Sequence, residues 1–257
     1  MPLSDNDIKN LMNESREIAI QSGAMIVKNW HSLKKIQLKD KRDISTNIDR
    51  EAENFIREKL KKLYPQAGFM VEEGVSNIST EFNWVIDPID GTKEYIADVP
   101  MFYTQFALNY KDEPILAHIY QPISGQLFSA SKNTGAFLNG KQIVSVTESV
   151  PENSIIDLDI RGNADYELKA KIFSRLIPHF YRVRICGGRF SPYLITGHCD
   201  AILDIFRDKK FVDVIPRILL YREAGLKAEY IEIQPKKKIL ICANEKLFHT
   251  ISQLVTV

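Results

Sequence analysis

The amino-acid sequence predicts a mixed fold of the α+β / α/β type, with sheets and helices layered in two packed halves. Three observations predict it. Helical patterns followed by a run of short strand patterns fill residues 1–150, the N-terminal α+β half with an antiparallel sheet. Strand and helix patterns alternate over residues 151–257, the C-terminal α/β half. The 257 residues are also enough for one large domain or two modest ones with sizeable cores.

The first half begins with two helices. Apolar residues recur with a mostly helical period over residues 5–30, and Ser4 with Asp7 has the spacing of a capping box. The charged stretch 34–43 is interpreted as a solvated turn, with a hairpin as the alternative. A single apolar stripe predicts the second helix over residues 47–63, which ends at Tyr64-Pro65 because a residue before proline disfavours helical geometry.

Strand patterns follow these helices. Residues 83–86 form a short apolar run that closes on Asp87-Pro88, and we expect the strand to end there because proline cannot donate to a ladder. Further strands are predicted over residues 104–110, 115–120 and 127–130. Asn139-Gly140, between runs at 136–138 and 141–146, is the strongest hairpin signal in the chain.

The second half alternates between strands and helices. Strands are predicted over residues 155–160, 182–185, 201–206, 227–233 and 239–243. Helices are predicted over residues 166–177, 214–224 and 245–254, and Gly225 is a natural cap for the middle one.

Composition argues against several classes of protein. The 34 Lys and Arg residues balance 33 Asp and Glu residues, so charge gives no reason to expect a nucleic acid polymer or an anionic membrane as partner. No apolar run has the length of a membrane span, and the polar start has no signal-peptide core, so we expect a cytoplasmic protein. Three cysteines and five histidines without metal-ligand spacing argue against a disulfide scaffold and a zinc site.

The most informative stretch runs from Trp84 to Thr92. Its apolar strand delivers Asp87 at the carboxyl end, and Asp90 follows three residues later, close enough for both carboxylates to converge on one cation. Gly91 and Thr92 would open a helix whose free N–H groups point at an anion. Two acids beside such a helix start suit Mg²⁺ bridged to a phosphate, because Mg²⁺ prefers oxygen ligands. The alternative is a strand–turn–helix junction with Asp90 as a plain N-cap.

Other acids also have two interpretations each. Asp49 projects toward the apolar stripe of its helix, where a carboxylate must be hydrogen-bonded or bind metal, yet it also has the capping-box spacing to Thr46. The pair Glu72-Glu73 is, alone, typical of a solvated turn. Asp213 lies at the first turn of its helix, where the helix dipole favours an acid whatever its function.

Taken together, and in order along most of the chain, these residues resemble the inositol monophosphatase family of Mg²⁺-dependent phosphatases. Residues 87–92 read D-P-I-D-G-T and match its highly specific motif D-P-[IL]-D-G-T. Residues 46–49 match T-x-x-D, residues 72–73 the paired acids, and residues 135–140 the G-A-F-x-N-G hairpin. Asp213 with residues 223–225 resembles the W-D-x-A-A…E-A-G-G segment. The resemblance implies the layered α-β-α-β-α sandwich of the sugar-phosphatase type.

The resemblance also implies a set of metal ligands. Glu72, Asp87 and the Ile89 carbonyl would hold one Mg²⁺, and Asp87, Asp90 and Asp213 would hold a second. A weaker third ion would lie near Glu72. Most of these ligands belong to the N-terminal half, while the C-terminal half supplies Asp213 and the residues on the substrate side.

The remaining roles that the resemblance implies concern the substrate. The backbone N–H groups of Gly91 and Thr92 would bind the phosphate, and the Thr92 hydroxyl, paired with Asp49, would orient the attacking water. Asp204 and the pair Gly187-Gly188 would lie on the substrate side. A homodimer and inhibition by Li⁺ are implied in the same way.

Departures from the family pattern lie on the side of the leaving group. Val212 replaces the usual Trp, Ile215-Pro216 replaces two small residues, and residues 186–190 replace a G-S-A segment. Lys93-Glu94 after the motif is, by contrast, common in 3′-phosphoadenosine 5′-phosphate phosphatases. The predicted activity is hydrolysis of a small phosphorylated polyol by metal-activated water attack, with inositol monophosphate as the first candidate. The alternatives are a 3′(2′),5′-bisphosphate nucleotidase and a non-catalytic descendant that binds metal or ligand.

Overall fold

The computed structural model describes residues 3–39, 44–145, 149–160, 165–187, 191–206, 211–235 and 237–256. Gly188, residues 40–43 of the predicted turn and residue 146 of a predicted strand lie outside them. Among the described helices, none combines the length and the apolar character of a membrane span. The chain forms two compact units: Met1–Gln142 with Phe211–Glu223, and Ile143–Lys210 with Ala224–Val257.

The elements that the sequence predicts occur in the predicted order, and the second helix has the predicted bounds, but the strand Gly68–Val71 and the short helix Ser191–Leu194 were not predicted. The α-helices are α1 (Asp5–Lys28), α2 (Asn47–Leu63), α3 (Thr92–Ile96), α4 (Tyr166–Leu176), α5 (Ser191–Leu194), α6 (Ile215–Glu223) and α7 (Glu245–Val255). The strands are β1 (Ile36–Leu38), β2 (Ile44–Thr46), β3 (Gly68–Val71), β4 (Phe82–Asp90), β5 (Tyr103–Tyr110), β6 (Glu113–Gln121), β7 (Gln126–Ser131), β8 (Gly135–Leu138), β9 (Lys141–Ile143), β10 (Ile155–Asp159), β11 (Arg182–Arg184), β12 (Ala201–Phe206), β13 (Lys227–Gln234) and β14 (Lys237–Ala243). Short 3₁₀ turns cover Pro151–Asn153 and Phe211–Asp213.

The first unit is built on a seven-stranded sheet with the strand order β3-β4-β5-β6-β7-β8-β9. β3 is parallel to β4, whereas the pairs from β4 to β8 are antiparallel. α1 and α2 pack on one face of this sheet, and α6 packs on β5 to β8 from the other. Because helices cover both faces, every residue of β4 is buried.

The core of the first unit lies between α1, α2 and one face of the sheet. Trp84 and Ile86 of β4 lie on the face that α1 and α2 cover, and the residues between them lie on the opposite face. Both are fully buried, as is Phe106 of β5 beside them. His118 of β6 lies on the same face, where its ring nitrogens contact the Ser15 hydroxyl of α1 at 3.0 Å and the Ser129 hydroxyl at 2.8 Å. This packing fixes the register of β4 and β5, and it leaves their polar residues on the other face.

The second unit is built on a five-stranded mixed sheet with the strand order β11-β10-β12-β14-β13. β10 is parallel to β11 and β12, and β14 is antiparallel to β12 and β13. Its core combines alternate strand residues, such as Leu158 and Leu203, with Ile172 of α4 and Ile251 of α7. Helices layered on multi-stranded sheets in each unit confirm the predicted mixed fold class.

Two local features differ from the sequence prediction. β4 does not end at Asp87 but continues through Pro88 to Asp90. Pro88 lies in a shift of register between Asp87 and Asp90, and at such an irregularity the ladder tolerates a residue without an N–H donor. For the stretch 34–43, the described residues support the hairpin alternative rather than a solvated turn, since β1 pairs with β2 and places Ile36 opposite Thr46.

The compact units also differ from the two halves expected from the sequence. The segment Phe211–Glu223 belongs to the first unit, although it follows residue 150 in the chain. The physical reason is that α6 packs on the sheet of the first unit. Asp213 therefore belongs to the same unit as Glu72 and Asp87.

Candidate active site

Two parallel strands place the first acids side by side. Val71, the last residue of β3, is paired with Ile86 of β4, and Glu72 and Asp87 are the next residues along each strand. Parallel strands end at the same edge of a sheet, so residues in equivalent positions are neighbours there. β3 was not predicted from the sequence, although the short apolar run Phe69-Met70-Val71 is a signal that could have found it.

Asp213 completes an acidic cluster with these two residues. A carboxylate oxygen from each of Glu72, Asp87 and Asp213 lies within 4.8 Å of the other two. Asp213 reaches the cluster from the turn Phe211–Asp213, immediately before α6 begins at Ile215. The structure thus brings together three predicted ligands from three separate stretches of the chain.

Gln105 holds two members of the cluster in place. It lies opposite Asp87 in the β4–β5 ladder, and its Nε2 is 2.9 Å from Asp87 Oδ2 and 3.3 Å from the Asp213 carbonyl oxygen. Its side chain is fully buried. Sequence reasoning missed Gln105, although an amide inside the largely apolar strand Tyr103–Tyr110 was an available signal.

The cluster is electrostatically strained without a cation. Burial, followed by the charge of Asp213, raises the pKa of Glu72 from 4.5 to about 7. Burial and the charges of Glu72, Asp213 and Asp90 raise the pKa of Asp87 well above its ordinary value. A positive charge placed among these carboxylates would favour their ionised forms.

The donor atoms of the cluster fit a hard divalent cation. Asp87 Oδ1 is buried and has no hydrogen-bond partner among the described residues, so a bound cation would satisfy it. All the ligand atoms in the cluster are carboxylate oxygens, the type that Mg²⁺ prefers over the softer nitrogen and sulfur donors. The Ile89 carbonyl was also predicted as a ligand; it lies 3.0 Å from the Thr92 hydroxyl, and its part in metal binding stays a prediction.

Asp49 serves two partners at once, which reconciles both interpretations of this residue. One oxygen, Oδ2, accepts from the Thr46 backbone N–H at 2.8 Å, as a capping box requires, and also from the Thr46 hydroxyl at 2.5 Å. The other, Oδ1, accepts from the Thr92 hydroxyl at 2.8 Å. Burial raises the pKa of Asp49, and these hydrogen bonds oppose the rise.

Gly91 forms the expected junction between β4 and α3. Its φ of +96° is in the left-handed region, and a Cβ at this position would lie 2.8 Å from the Met101 carbonyl oxygen. α3 begins at Thr92, as predicted, but it has only five residues. Their contact with a phosphate stays a prediction.

Lys39 is a basic residue that sequence analysis did not assign to the site. It follows β1, and its Nζ lies 3.0 Å from Glu72 Oε1 and forms an ion pair with Glu73. Burial raises the pKa of Glu73, whose backbone N–H donates to Glu53 Oε2 at 2.7 Å. The predicted pair Glu72-Glu73 is therefore a structured pair of acids, with Glu72 in the cluster and Glu73 beside it.

Asp90 differs from the other predicted ligands, because the three-acid cluster does not include it. Its Oδ2 instead forms an ion pair with Nη2 of Arg217 from α6. Both side chains are almost completely buried, at 3% and 1% exposed. Arg217 was not predicted, although a charged residue within the apolar helix Ile215–Glu223 was a signal that could have found it.

The predicted residues on the substrate side belong to the second unit. Asp204 is buried in β12 and is paired in the ladder with Asp159 of β10. Gly187 has a φ of +60° and follows Cys186, whose backbone N–H donates to Asp157 Oδ1 at 2.7 Å. Their roles in binding substrate stay predictions.

Comparisons with known proteins agree with this arrangement. The model of the inositol monophosphatase family matches residues 7–255. An inositol monophosphatase of Dictyostelium discoideum is 37% identical over 257 residues, covering 93% of this chain and 92% of that protein. A fructose-1,6-bisphosphatase/inositol-1-monophosphatase of Aquifex aeolicus (strain VF5) is 30% identical over 226 residues, covering 85% of each. The extragenic suppressor protein suhB from Bartonella henselae shares the fold, with a TM-score of 0.88 at 24% identity over 96% of this chain and 98% of that one.

Proposed function

The chain belongs to the inositol monophosphatase family, and on that premise we propose that it is a Mg²⁺-dependent phosphomonoesterase that hydrolyses a small phosphorylated polyol. The observation that carries the proposal is the convergence of Glu72, Asp87 and Asp213 within 4.8 Å. Acids placed this close repel one another and destabilise a protein unless a cation compensates their charge, and carboxylate oxygens are the ligands that suit a hard cation.

Four residues would form and support the metal site. Glu72, Asp87 and Asp213 would hold Mg²⁺, with Gln105 fixing the orientation of Asp87. When bound, Mg²⁺ would lower the pKa of a coordinated water and neutralise charge on the phosphoryl oxygens. No nucleophile from the protein is needed for such a reaction.

Thr92 and Asp49 would position the attacking water. Because the Thr92 hydroxyl donates its proton to Asp49 Oδ1, its oxygen lone pairs are directed to accept a hydrogen bond from that water. The second oxygen of Asp49 is fixed by Thr46, so the pair is rigid before substrate binds.

The first candidate substrate is inositol monophosphate, as the name of the Dictyostelium relative suggests. A sugar bisphosphate is the second candidate, because the Aquifex relative is named for fructose 1,6-bisphosphate as well as inositol 1-phosphate. The bisphosphate nucleotidase activity that Lys93-Glu94 suggests is a further arm of the test.

A substrate panel tests the proposal. Phosphate release from inositol monophosphate, fructose 1,6-bisphosphate and 3′-phosphoadenosine 5′-phosphate is measured with Mg²⁺ and with EDTA, as kcat/KM. We expect the first substrate to exceed the others by at least about tenfold, which corresponds to about 1.4 kcal/mol. A preference of that size for another substrate would replace the first candidate. Asp87→Asn should lower release at least about 10²-fold. Glu113→Gln, which changes an exposed acid paired with Arg222, is the matched control and should leave release unchanged.

We further propose that the enzyme works as a homodimer in the cytoplasm. Sedimentation velocity of the purified protein tests the dimer, and the location of a tagged chain in its own cells tests the compartment. A monomer at working concentration would contradict the first statement, and a secreted or membrane-associated chain would contradict the second.

A further inference from the structure

A buried arginine lies beside the acidic cluster. Arg217 is 1% exposed, and the residues of α6 around it from Ile215 to Tyr221 are buried as well. Its guanidinium forms an ion pair with Asp90, whose own side chain is 3% exposed. Both charges are therefore removed from water, and each depends on a charged partner inside the protein.

Arginine is suited to act as a permanent cation at this position. Its guanidinium remains protonated in proteins, so burial does not neutralise it as it can neutralise a lysine. A divalent ion is the other way to compensate a buried carboxylate such as Asp90. The structure contains the arginine at the carboxylate for which the family resemblance implies a second Mg²⁺.

α6 connects the two parts of the site. Asp213, just before the helix, enters the three-acid cluster, and Arg217, four residues later, reaches Asp90. Asp87 and Asp90 lie on either side of the register shift in β4, so one acid faces the cluster and the other the arginine. A second cation next to Asp90 would meet the positive charge of Arg217, and the two would repel each other.

We propose that Arg217 is a built-in cation that replaces a divalent ion at Asp90, so that the substrate-free protein binds one Mg²⁺, at Glu72, Asp87 and Asp213. The inference rests on the proposed function in one respect, namely that the three-acid cluster is a metal site. It goes further because it fixes the number of ions and assigns Arg217 a charge-compensating role.

Counting bound ions tests this directly. Mn²⁺, a paramagnetic substitute for Mg²⁺, is titrated into the full-length protein, and the free ion is measured by electron paramagnetic resonance. We expect one bound ion in the wild type. Arg217→Met, which keeps the bulk and removes the charge, should bind a second ion at least about tenfold more tightly than the wild type does. Arg222→Met, on the same helix but with an exposed ion pair to Glu113, is the matched control and should resemble the wild type.

A second variant keeps the proposal testable if Arg217→Met does not fold. Asp90→Asn in the wild-type background should leave the count at one ion, because Asp90 is held by Arg217. Two ions in the wild type, or the loss of an ion in Asp90→Asn, would overturn the inference. Phosphate release by a protein with two bound ions would leave the proposed function standing, whereas no bound ion and no release would overturn both.

Discussion

The acids of the proposed metal site should destabilise the protein whenever no cation is present. Glu72 gives the clearest case, because its carboxyl is mostly buried and shares the cluster with Asp87 and Asp213. Glu72→Gln removes its charge while keeping its size and its capacity for hydrogen bonds. We therefore predict that this variant, although it weakens Mg²⁺ binding, is more stable than the wild type in the absence of metal.

The size of the effect is worked from the pKa shift of Glu72 and compared with the charge repulsion that contributes to this shift. The pKa of Glu72 rises from 4.5 to about 7, and since one pKa unit corresponds to about 1.4 kcal/mol, ionised Glu72 destabilises the metal-free fold by about 3 kcal/mol. Two unit charges at 4.8 Å, the upper limit of the oxygen–oxygen distances in the cluster, repel by about 3 kcal/mol at an effective dielectric constant of about 20. Lys39 keeps its contact with Glu73 in the variant, so the lost ion pair costs less than about 1 kcal/mol.

The sign of the pH dependence is also determined. Below pH 4.5 Glu72 is protonated in the folded and the unfolded chain, and it contributes no difference. Between pH 4.5 and about 7 the unfolded chain loses this proton while the folded chain keeps it, so the free energy of unfolding falls as the pH rises. Above about 7 the full penalty is present.

Urea unfolding in EDTA at about pH 8 and about pH 5 measures the effect. Glu72→Gln should exceed the wild type by about 3 kcal/mol at the higher pH and by much less at the lower. Adding Mg²⁺ at about 100 times its Kd should stabilise the wild type by about 2.7 kcal/mol and the variant by less. Glu113→Gln, an exposed acid, should change neither value by more than about 1 kcal/mol. If Glu72→Gln is no more stable than the wild type in EDTA at about pH 8, the reasoning is refuted.

Three further predictions concern single residues. Thr92→Val should lower kcat about 10²-fold with little change in KM, because the hydroxyl that positions water is lost, while Thr92→Ser should retain most activity in a phosphate-release assay. Gly91→Ala should lower the free energy of unfolding, measured by urea titration, by about 1–3 kcal/mol, since φ is +96° and the new Cβ meets the Met101 carbonyl oxygen. Gly125→Ala, at a φ of +67° with open space around the Cβ, should lower the free energy of unfolding by less. Burial lowers the pKa of His118 from 6.5 to about 3. Below pH 6.5 the unfolded chain therefore binds a proton that the folded chain does not bind, and the free energy of unfolding should fall as the pH drops. If the free energy of unfolding in urea depends on pH as steeply in His118→Gln as in the wild type, this prediction is contradicted.

Local signals made much of the fold predictable. The helix over residues 47–63 is bounded by a capping box at Thr46 and by Tyr64-Pro65, and both signals are contained in a few consecutive residues. Asn139-Gly140 likewise marks a hairpin, since both residues adopt positive φ. The strand β3 was missed because four residues at an edge carry too little periodicity to be separated from a loop.

Contacts between distant parts of the chain explain what the sequence left open in the site. Gln105 is 18 positions from Asp87, and Arg217 is 127 positions from Asp90. Neither pairing has a local spacing that could indicate it, because strand register and helix packing create both. Motif matching predicted the acids themselves, but only the fold shows that Asp90 is paired with an arginine and that Asp49 is both a helix cap and a partner of Thr92.

The most direct test of the central claim is phosphate release from inositol monophosphate as a function of Mg²⁺ concentration, for the wild type and for Asp87→Asn. Asp87 lies at the centre of the proposed metal site, and one of its oxygens has no partner among the described residues. We predict saturable, Mg²⁺-dependent release by the wild type, no release in EDTA, and a loss of at least about 10²-fold in the variant. Release that is independent of Mg²⁺, or equal in the two proteins, would contradict a metal site built on Glu72, Asp87 and Asp213.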